Sequence, residues 1–378
     1  MNRGLLHHRI DGPHDAPVLM LGPSLGTSLA VWDPQLPGLA RRHRCVRWDL
    51  PGHGGSPASL LGPDATVDDL ARLVLDLADS LGAERFAHAG ISLGGAVGAQ
   101  LAARHPERVT SLALICSAAR FGTPSTWHER GRLVRKEGIG ALAASAPARW
   151  FTPAFRRTAA AEALVRDHRS VDPAGYAACC RALAAADLHA ELPRITAPTL
   201  IVAGREDRAV PLDRARELAD GIADSTLVEL PRAAHLATVE QPQAVLAALH
   251  HHLTGTPEST APGAAMRRAV LGDDHVDRTA AATTPFTAPF QDFLTRYAWG
   301  GIWTRPGLDR RTRSCVTLTA LVAGGHHEEL ALHVRAALRN GLTPEEISEV
   351  LLQTAVYCGV PAANAAFTIA RRIVEQAP

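Results

Sequence analysis

Ala87-His88-Ala89-Gly90-Ile91-Ser92-Leu93-Gly94-Gly95-Ala96-Val97 holds a serine spaced between glycines, Gly90-x-Ser92-x-Gly94. The spacing predicts a sharp turn from a strand into a helix. Small residues on both sides let the two elements approach closely. The hydroxyl is then pushed out at the carboxyl edge of a sheet, and the helix N-terminus behind it favours developing negative charge. Glycine and serine are common, so the pentapeptide alone also describes a structural turn without chemistry. The rest of the chain decides between these readings.

Upstream, Pro17-Val18-Leu19-Met20-Leu21-Gly22 is an apolar run of strand length, and Arg44-Cys45-Val46-Arg47-Trp48-Asp49 is a second. Both read as buried parallel strands. The loop Pro23-Ser24-Leu25-Gly26-Thr27 follows the first. A nucleophilic serine needs two backbone amides for its oxyanion, one from such a loop and one from the residue after the nucleophile, which selects Leu25 and Leu93. His53 lies between glycines in Leu50-Pro51-Gly52-His53-Gly54 and reads as a loop-packing residue rather than a catalytic one. Val67, Leu70, Leu73, Val74, Leu77 and Leu81 have helical spacing that ends at Gly82, and a helix over 95–104 stops before Pro106. Alternating strands and helices predict an α/β fold with a mainly parallel sheet, whose ligands bind at the carboxyl ends of the strands.

Downstream, residues 109–117 read as another strand, and then the strand rhythm stops. Residues from about 120 to 190 are helical and rich in Ala and Arg, the place of a cap over the site. Most of its arginines read as solvated charge. Trp127 and Arg130 are the candidates for contact with an anionic substrate. Strands resume at 198–204, and Asp207, with Glu206 as the competing choice, lies in the loop that follows. After the last strand, 226–230, comes His235. Ser92, Asp207 and His235 therefore occur in the order of a hydrolytic triad, each directly after a predicted strand. In that reading His235 takes the proton of Ser92, and Asp207 fixes the imidazole tautomer. His250-His251-His252 reads as a solvated helix end, and no metal site or cofactor is expected.

The formal net charge of +1 over 378 residues suggests no nucleic-acid partner. Six cysteines without a C-x-x-C pair are expected to be reduced thiols of a cytoplasmic protein. The N-terminal residues lack an apolar signal core, and no stretch approaches the roughly 18 apolar residues of a membrane helix. The first domain is taken as 1–254. Residues 255–265, rich in Pro, Gly, Ser and Thr, read as an exposed linker, and 266–378 as an all-α domain. Thr343-Pro344-Glu345-Glu346 is a capping box, and Gly359 breaks the helix that it opens. So small an all-α unit is expected to complete its core by forming a homo-oligomer.

Residues 1–254 resemble the α/β-hydrolases, and more narrowly the β-ketoadipate enol-lactone hydrolases. The resemblance is carried by Ser24-Leu25-Gly26-Thr27, Trp32-Asp33-Pro34-Gln35, Asp49-Leu50-Pro51-Gly52-His53-Gly54, Gly90-Ile91-Ser92-Leu93-Gly94-Gly95, Arg149-Trp150-Phe151-Thr152-Pro153 and Ala234-His235-Leu236. Pro23 stands where that family is expected to have Asn. The C-terminal part resembles the carboxymuconolactone decarboxylase family through Arg313-Ser314, Ala331-Leu332-His333-Val334-Arg335-Ala336-Ala337, Asn340-Gly341-Leu342-Thr343, Glu345-Glu346-Ile347 and Tyr357-Cys358-Gly359-Val360-Pro361. This resemblance implies a small dicarboxylate lactone as substrate and a cofactor-free decarboxylation, because the conjugated lactone carbonyl accepts the electrons. His333 and Glu349, the latter expected to be buried beside Leu352 and Val356, are then acid/base candidates. Arg313 is a candidate carboxylate clamp. The two implied reactions are consecutive. A hydrolase of other specificity with a non-catalytic oligomerising domain remains the alternative.

Overall fold

Seven strands form one sheet in the order β1-β3-β2-β4-β5-β6-β7. They are β1 (His8–Asp11), β2 (Val18–Gly22), β3 (Arg44–Trp48), β4 (Phe86–Ile91), β5 (Val109–Ile115), β6 (Thr199–Gly204) and β7 (Ser225–Leu230). All neighbours run parallel except β1, which pairs antiparallel with β3 through His8↔Trp48 and Asp11↔Cys45. The edge strand β1 was not apparent in the sequence, because His8-Arg9-Ile10-Asp11 is too short and polar to show alternation. The computed structural model describes residues 4–62, 64–253 and 257–376. The chain divides into two compact units, Met1–Thr256 and Pro257–Pro378.

The central strand β4 is buried along its whole length, as expected of a parallel strand covered on both faces. Two apolar clusters cover the sheet. One contains Leu70, Val74 and Leu77 of the Val67–Ser80 helix with Val97 and Leu101 of the Leu93–Arg104 helix. The other contains Trp32, Leu39, Val245 and Leu249. The Val67–Ser80 helix starts at a full capping box in which Thr66 accepts from the Asp69 N–H and Asp69 accepts from the Thr66 N–H. Four helices between β5 and β6 form the cap, Pro124–Glu137, Gly140–Trp150, Ala159–Arg169 and Pro173–Ala185. Their register follows from local signals: Thr123, Thr158 and Asp172 each accept a first-turn amide at an N-cap.

The C-terminal unit is helical throughout. Its core joins Leu318, Val322, Leu330, Val334, Ile347, Leu351 and Ile373 from the helices Arg310–Gly324, His327–Arg339, Pro344–Cys358 and Val360–Val374. The Thr343/Glu346 capping box is formed, and Gly359 has a φ of +87°. Between residues 294 and 303 the chain is π-helical, Leu294–Trp303. The linker expected at 255–265 needs correction: from Pro257 to Leu271 the chain is helix. Residues 254–256 lie outside the described ones. No helix among the described residues is long and apolar enough to cross a membrane.

Candidate active site

At the end of β4, Ser92 has a φ of +53° and a ψ of −115°, the sharp turn read from the glycine spacing. Such a conformation is strained for a residue with a Cβ and is held by its surroundings. The Ser92 N–H donates to the Ile115 carbonyl at 2.9 Å, and Ser117 Oγ donates to the Ser92 carbonyl at 2.8 Å. The flanking glycines are needed for contact. A Cβ on Gly90 would stand 2.1 Å from the Gly94 carbonyl oxygen, and one on Gly94 would stand 2.6 Å from the Gly22 backbone.

Asp207 follows β6 and His235 follows β7, both buried. Asp207 Oδ2 lies 2.8 Å from His235 Nδ1, while its Oδ1 accepts the Ala209 and Val210 N–H groups at 2.8 and 2.9 Å. With its second oxygen so anchored, the carboxylate selects the tautomer protonated on Nδ1 and leaves Nε2 as the acceptor nitrogen. Ser92 and His235 line one cavity of about 250 Å³ with Ser24, Leu25, Trp127, Arg130, Arg149, Tyr176 and Arg208. Ser24 was not singled out from the sequence; its Oγ is 3.5 Å from His235 Nε2.

Several amides around the elbow are engaged. Gly26 N–H donates to His53 Nε2 at 3.1 Å, Thr27 N–H to the Ser24 carbonyl at 3.1 Å and Gly94 N–H to the Pro23 carbonyl at 3.1 Å. Among the described residues, neither the Leu25 nor the Leu93 amide has a backbone or side-chain acceptor, as is also true of the Ser24 and Gly95 amides. His53 is the loop-packing residue the sequence suggested. Its Nδ1 lies 3.0 Å from the Pro51 carbonyl, and burial pushes its pKa down to about 4, so it stays neutral while Nε2 accepts.

Three arginines reach the cavity, of which the sequence points only to Arg130. Its guanidinium lies 4.9 Å from the Trp127 ring centroid, a cation–π contact. Among the described residues Arg130, Arg149 and Arg208 have no carboxylate partner. Burial, and then repulsion from Arg130, lowers the Arg149 pKa from the ordinary arginine value. Arg149 and Arg208 were hidden among many surface arginines, since only the tertiary fold turns them inward. The cap is tied to the histidine loop by Glu240. Its Oε1 accepts from the Thr152 N–H at 3.0 Å and from the Thr152 hydroxyl, and its Oε2 from the Ala234 N–H at 2.8 Å. His252 is also not simply solvated, because its Nε2 lies 2.7 Å from Ser111 Oγ.

In the C-terminal unit the selected residues are not brought together in this way. His333 is half-buried, and its pKa is lowered by burial and then by nearby His275. Glu349 is exposed rather than buried, on a face with Leu352 and Val356 that is exposed as well. Arg313 donates to the Leu308 and Arg305 carbonyls at 3.1 and 2.8 Å, bracing the turn before its own helix.

A family model for the alpha/beta hydrolase fold matches residues 17–242, and one for the carboxymuconolactone decarboxylase family matches residues 288–372. The 3-oxoadipate enol-lactonase 2 of Acinetobacter baylyi is 36% identical over 241 residues, 63% of this chain and 89% of that protein. The 4-carboxymuconolactone decarboxylase of the same organism is 44% identical over 113 residues, 30% of this chain and 84% of that protein. The crystal structure of the enol-lactonase from Burkholderia xenovorans matches with a TM-score of 0.63 and 40% identity, covering 66% of this chain and 96% of that one. The chain thus belongs to the alpha/beta hydrolase fold family over its N-terminal unit and to the carboxymuconolactone decarboxylase family over its C-terminal unit.

Proposed function

We propose that the chain is a bifunctional enzyme of protocatechuate catabolism by the β-ketoadipate route. Its C-terminal unit decarboxylates 4-carboxymuconolactone, and its N-terminal unit hydrolyses the product, 3-oxoadipate enol-lactone, to 3-oxoadipate. The observation that carries the hydrolase reading is a cavity in which Ser92 and His235 meet three arginines that have no carboxylate partner among the described residues. The enol-lactone has one ester for the serine and one free carboxylate for the arginines. The names of the relatives supply the pairing of consecutive steps.

In the hydrolase half, His235 Nε2 takes the proton of Ser92 Oγ as that oxygen attacks the lactone carbonyl. The Leu25 and Leu93 amides hold the tetrahedral oxyanion. The ring C–O bond breaks, the enol oxygen takes the proton from His235, and the freed enol ketonises. Water, deprotonated by His235, then cleaves the acyl-Ser92 ester. Trp127 and Arg130 bind the substrate carboxylate arm from the cap, together with Arg149.

In the decarboxylase half, His333 remains an acid/base candidate. Glu349 is placed on a face that a second copy would cover, since Leu352, Val356, Tyr357 and Val360 are exposed there. A homo-oligomer built through this unit would bury them. The free cysteines, Cys45, Cys116, Cys179 and Cys180 among them buried, suit a reducing cytoplasmic setting.

The test uses Ser92→Ala protein with 4-carboxymuconolactone, followed by NMR. Enol-lactone and carbon dioxide should accumulate without enzymatic formation of 3-oxoadipate, which should fall by about 10⁶-fold in rate. Survival of the starting compound in well-folded wild-type protein would leave a hydrolase carrying an oligomerising helical unit.

A further inference from the structure

The C-terminal unit carries a cleft of about 850 Å³ that none of His333, Glu349 and Arg313 lines. Three helices converge on it, the end of Pro257–Leu271, the start of Asp273–Ala281 and the second half of His327–Arg339. Arg268, His275, Arg278, Arg335 and Arg339 stand on its walls.

The charges in this cleft do not balance. Arg268 is neutralised by Asp273 and Asp277 at 3.0 and 2.6 Å. Arg339 gives one N–H to the Val270 carbonyl at 3.1 Å. Among the described residues Arg278, Arg335 and Arg339 have no carboxylate partner, and Asp274 is the one lining acid that Arg268 does not hold. Next to Arg268, Arg267 is only 9% exposed and is met by neutral groups, Gln291 Oε1 at 2.8 Å and Thr295 Oγ1 at 3.3 Å; its Nε has no partner. Burial, and then Arg267, Arg278 and Arg339, hold the His275 pKa below the ordinary histidine value. Arg278, Arg335 and Arg339 are solvent-exposed, and with Arg268 they outnumber the lining acids Asp273 and Asp274, so the cleft presents a net positive wall that favours an entering anion.

We propose that this cleft is the carboxylate-binding site of the C-terminal unit, with Arg278 and Arg335 closing on the carboxylate that a dicarboxylate lactone keeps. The assignment rests on the decarboxylase reading and locates its substrate. In the reaction, the bond between the γ-carbon and the departing carboxyl carbon breaks. Its electron pair enters the conjugated lactone as a dienolate, the α-carbon gains a proton, and carbon dioxide leaves. A cation on the departing carboxylate would stabilise the ground state and slow the step, whereas a cation on the retained carboxylate binds substrate and transition state alike. Leu332, which lines the cleft and packs on Val270, Trp299 and Ala336, supplies the apolar wall that suits a group losing its charge.

The experiment compares full-length wild type with Arg278→Ala and Arg335→Ala, singly and together. Carbon dioxide release is followed against 4-carboxymuconolactone, and calorimetry follows binding of adipate, an unreactive dicarboxylate. Each single change should raise the KM for decarboxylation by about tenfold and the pair by more, with kcat less affected. Arg335→Lys should recover part of the loss, which separates charge from folding. Hydrolysis of the enol-lactone by the same preparations reports the other unit and should stay at the wild-type rate. An unchanged decarboxylation KM in the double variant overturns the site and leaves the reaction standing. A wild type that releases no carbon dioxide overturns the reaction. Loss of an adipate-binding event in the double variant then still supports an anion site, and its persistence removes it.

Discussion

Asp207 and His235 lie 2.8 Å apart, and both are buried within one unit. In the other unit Leu352, Val356 and Val360 stand 51%, 76% and 72% exposed beside Glu349. The N-terminal site is finished by its own chain, because parallel strands end at one edge of a sheet and deliver Ser92, Asp207 and His235 to the same place. The C-terminal unit has no such edge. Its helices bury a core and leave an apolar face over, the face that the proposed homo-oligomer would cover. A site built at a sheet edge tolerates isolation; one built on helix faces depends on what covers them.

The sharpest way to break this comparison is Asp207→Asn. It keeps the shape of the acid but not the charge that selects the His235 tautomer, so enol-lactone hydrolysis should fall by about 10⁴-fold. Decarboxylation by the same protein should be unchanged; a parallel fall would mean the two sites are not separate. Next, Val356→Asp puts a charge on the exposed face. Sedimentation should show the oligomer dissociating at concentrations raised by about 100-fold, the effect of a few kcal/mol at an apolar contact. Unaltered assembly would place the interface elsewhere.

The smallest effect sharpens the account of the finished half. His88 in β4 is buried, neither ring nitrogen has a partner, and burial holds its pKa at about 3. The unfolded chain takes up a proton on this residue below pH 6.5, while the folded chain does so only near 3. Stability should therefore be full above 6.5 and decline as pH falls between these values. His88→Leu removes that proton uptake, so its Tm should fall less on acidification than that of the wild type. Identical slopes would show that His88 is not held neutral.

The turn at Ser92, the order Ser92, Asp207, His235 and the capping boxes at Thr66 and Thr343 all rest on residues near one another in sequence, or on a strand followed by its loop. Local rules read such features, which is why the sheet and the cap were legible. The edge strand β1 was not, since its four residues His8-Arg9-Ile10-Asp11 are too few and too polar to show a strand pattern, and only pairing with β3 fixes them. The same holds for Ser24, Arg149 and Arg208, which look like loop and surface residues until the cap closes over them. The reading of 255–265 as linker followed composition, but the helix Pro257–Leu271 runs on into Met266, Val270 and Leu271, which pack with Trp299 and Ala336 in an apolar cluster that composition at 255–265 does not show.

By itself, then, the sequence determined two folding units, their classes, and the three side chains at the sheet edge, because periodicity and turn chemistry act within a few residues. The tertiary structure alone decided which arginines face a cavity, which amides at the elbow are engaged, and that Glu349 is exposed while Arg267 is buried. Those outcomes depend on burial, and burial is a property of what lies opposite a residue in space, which neighbours along the chain do not specify.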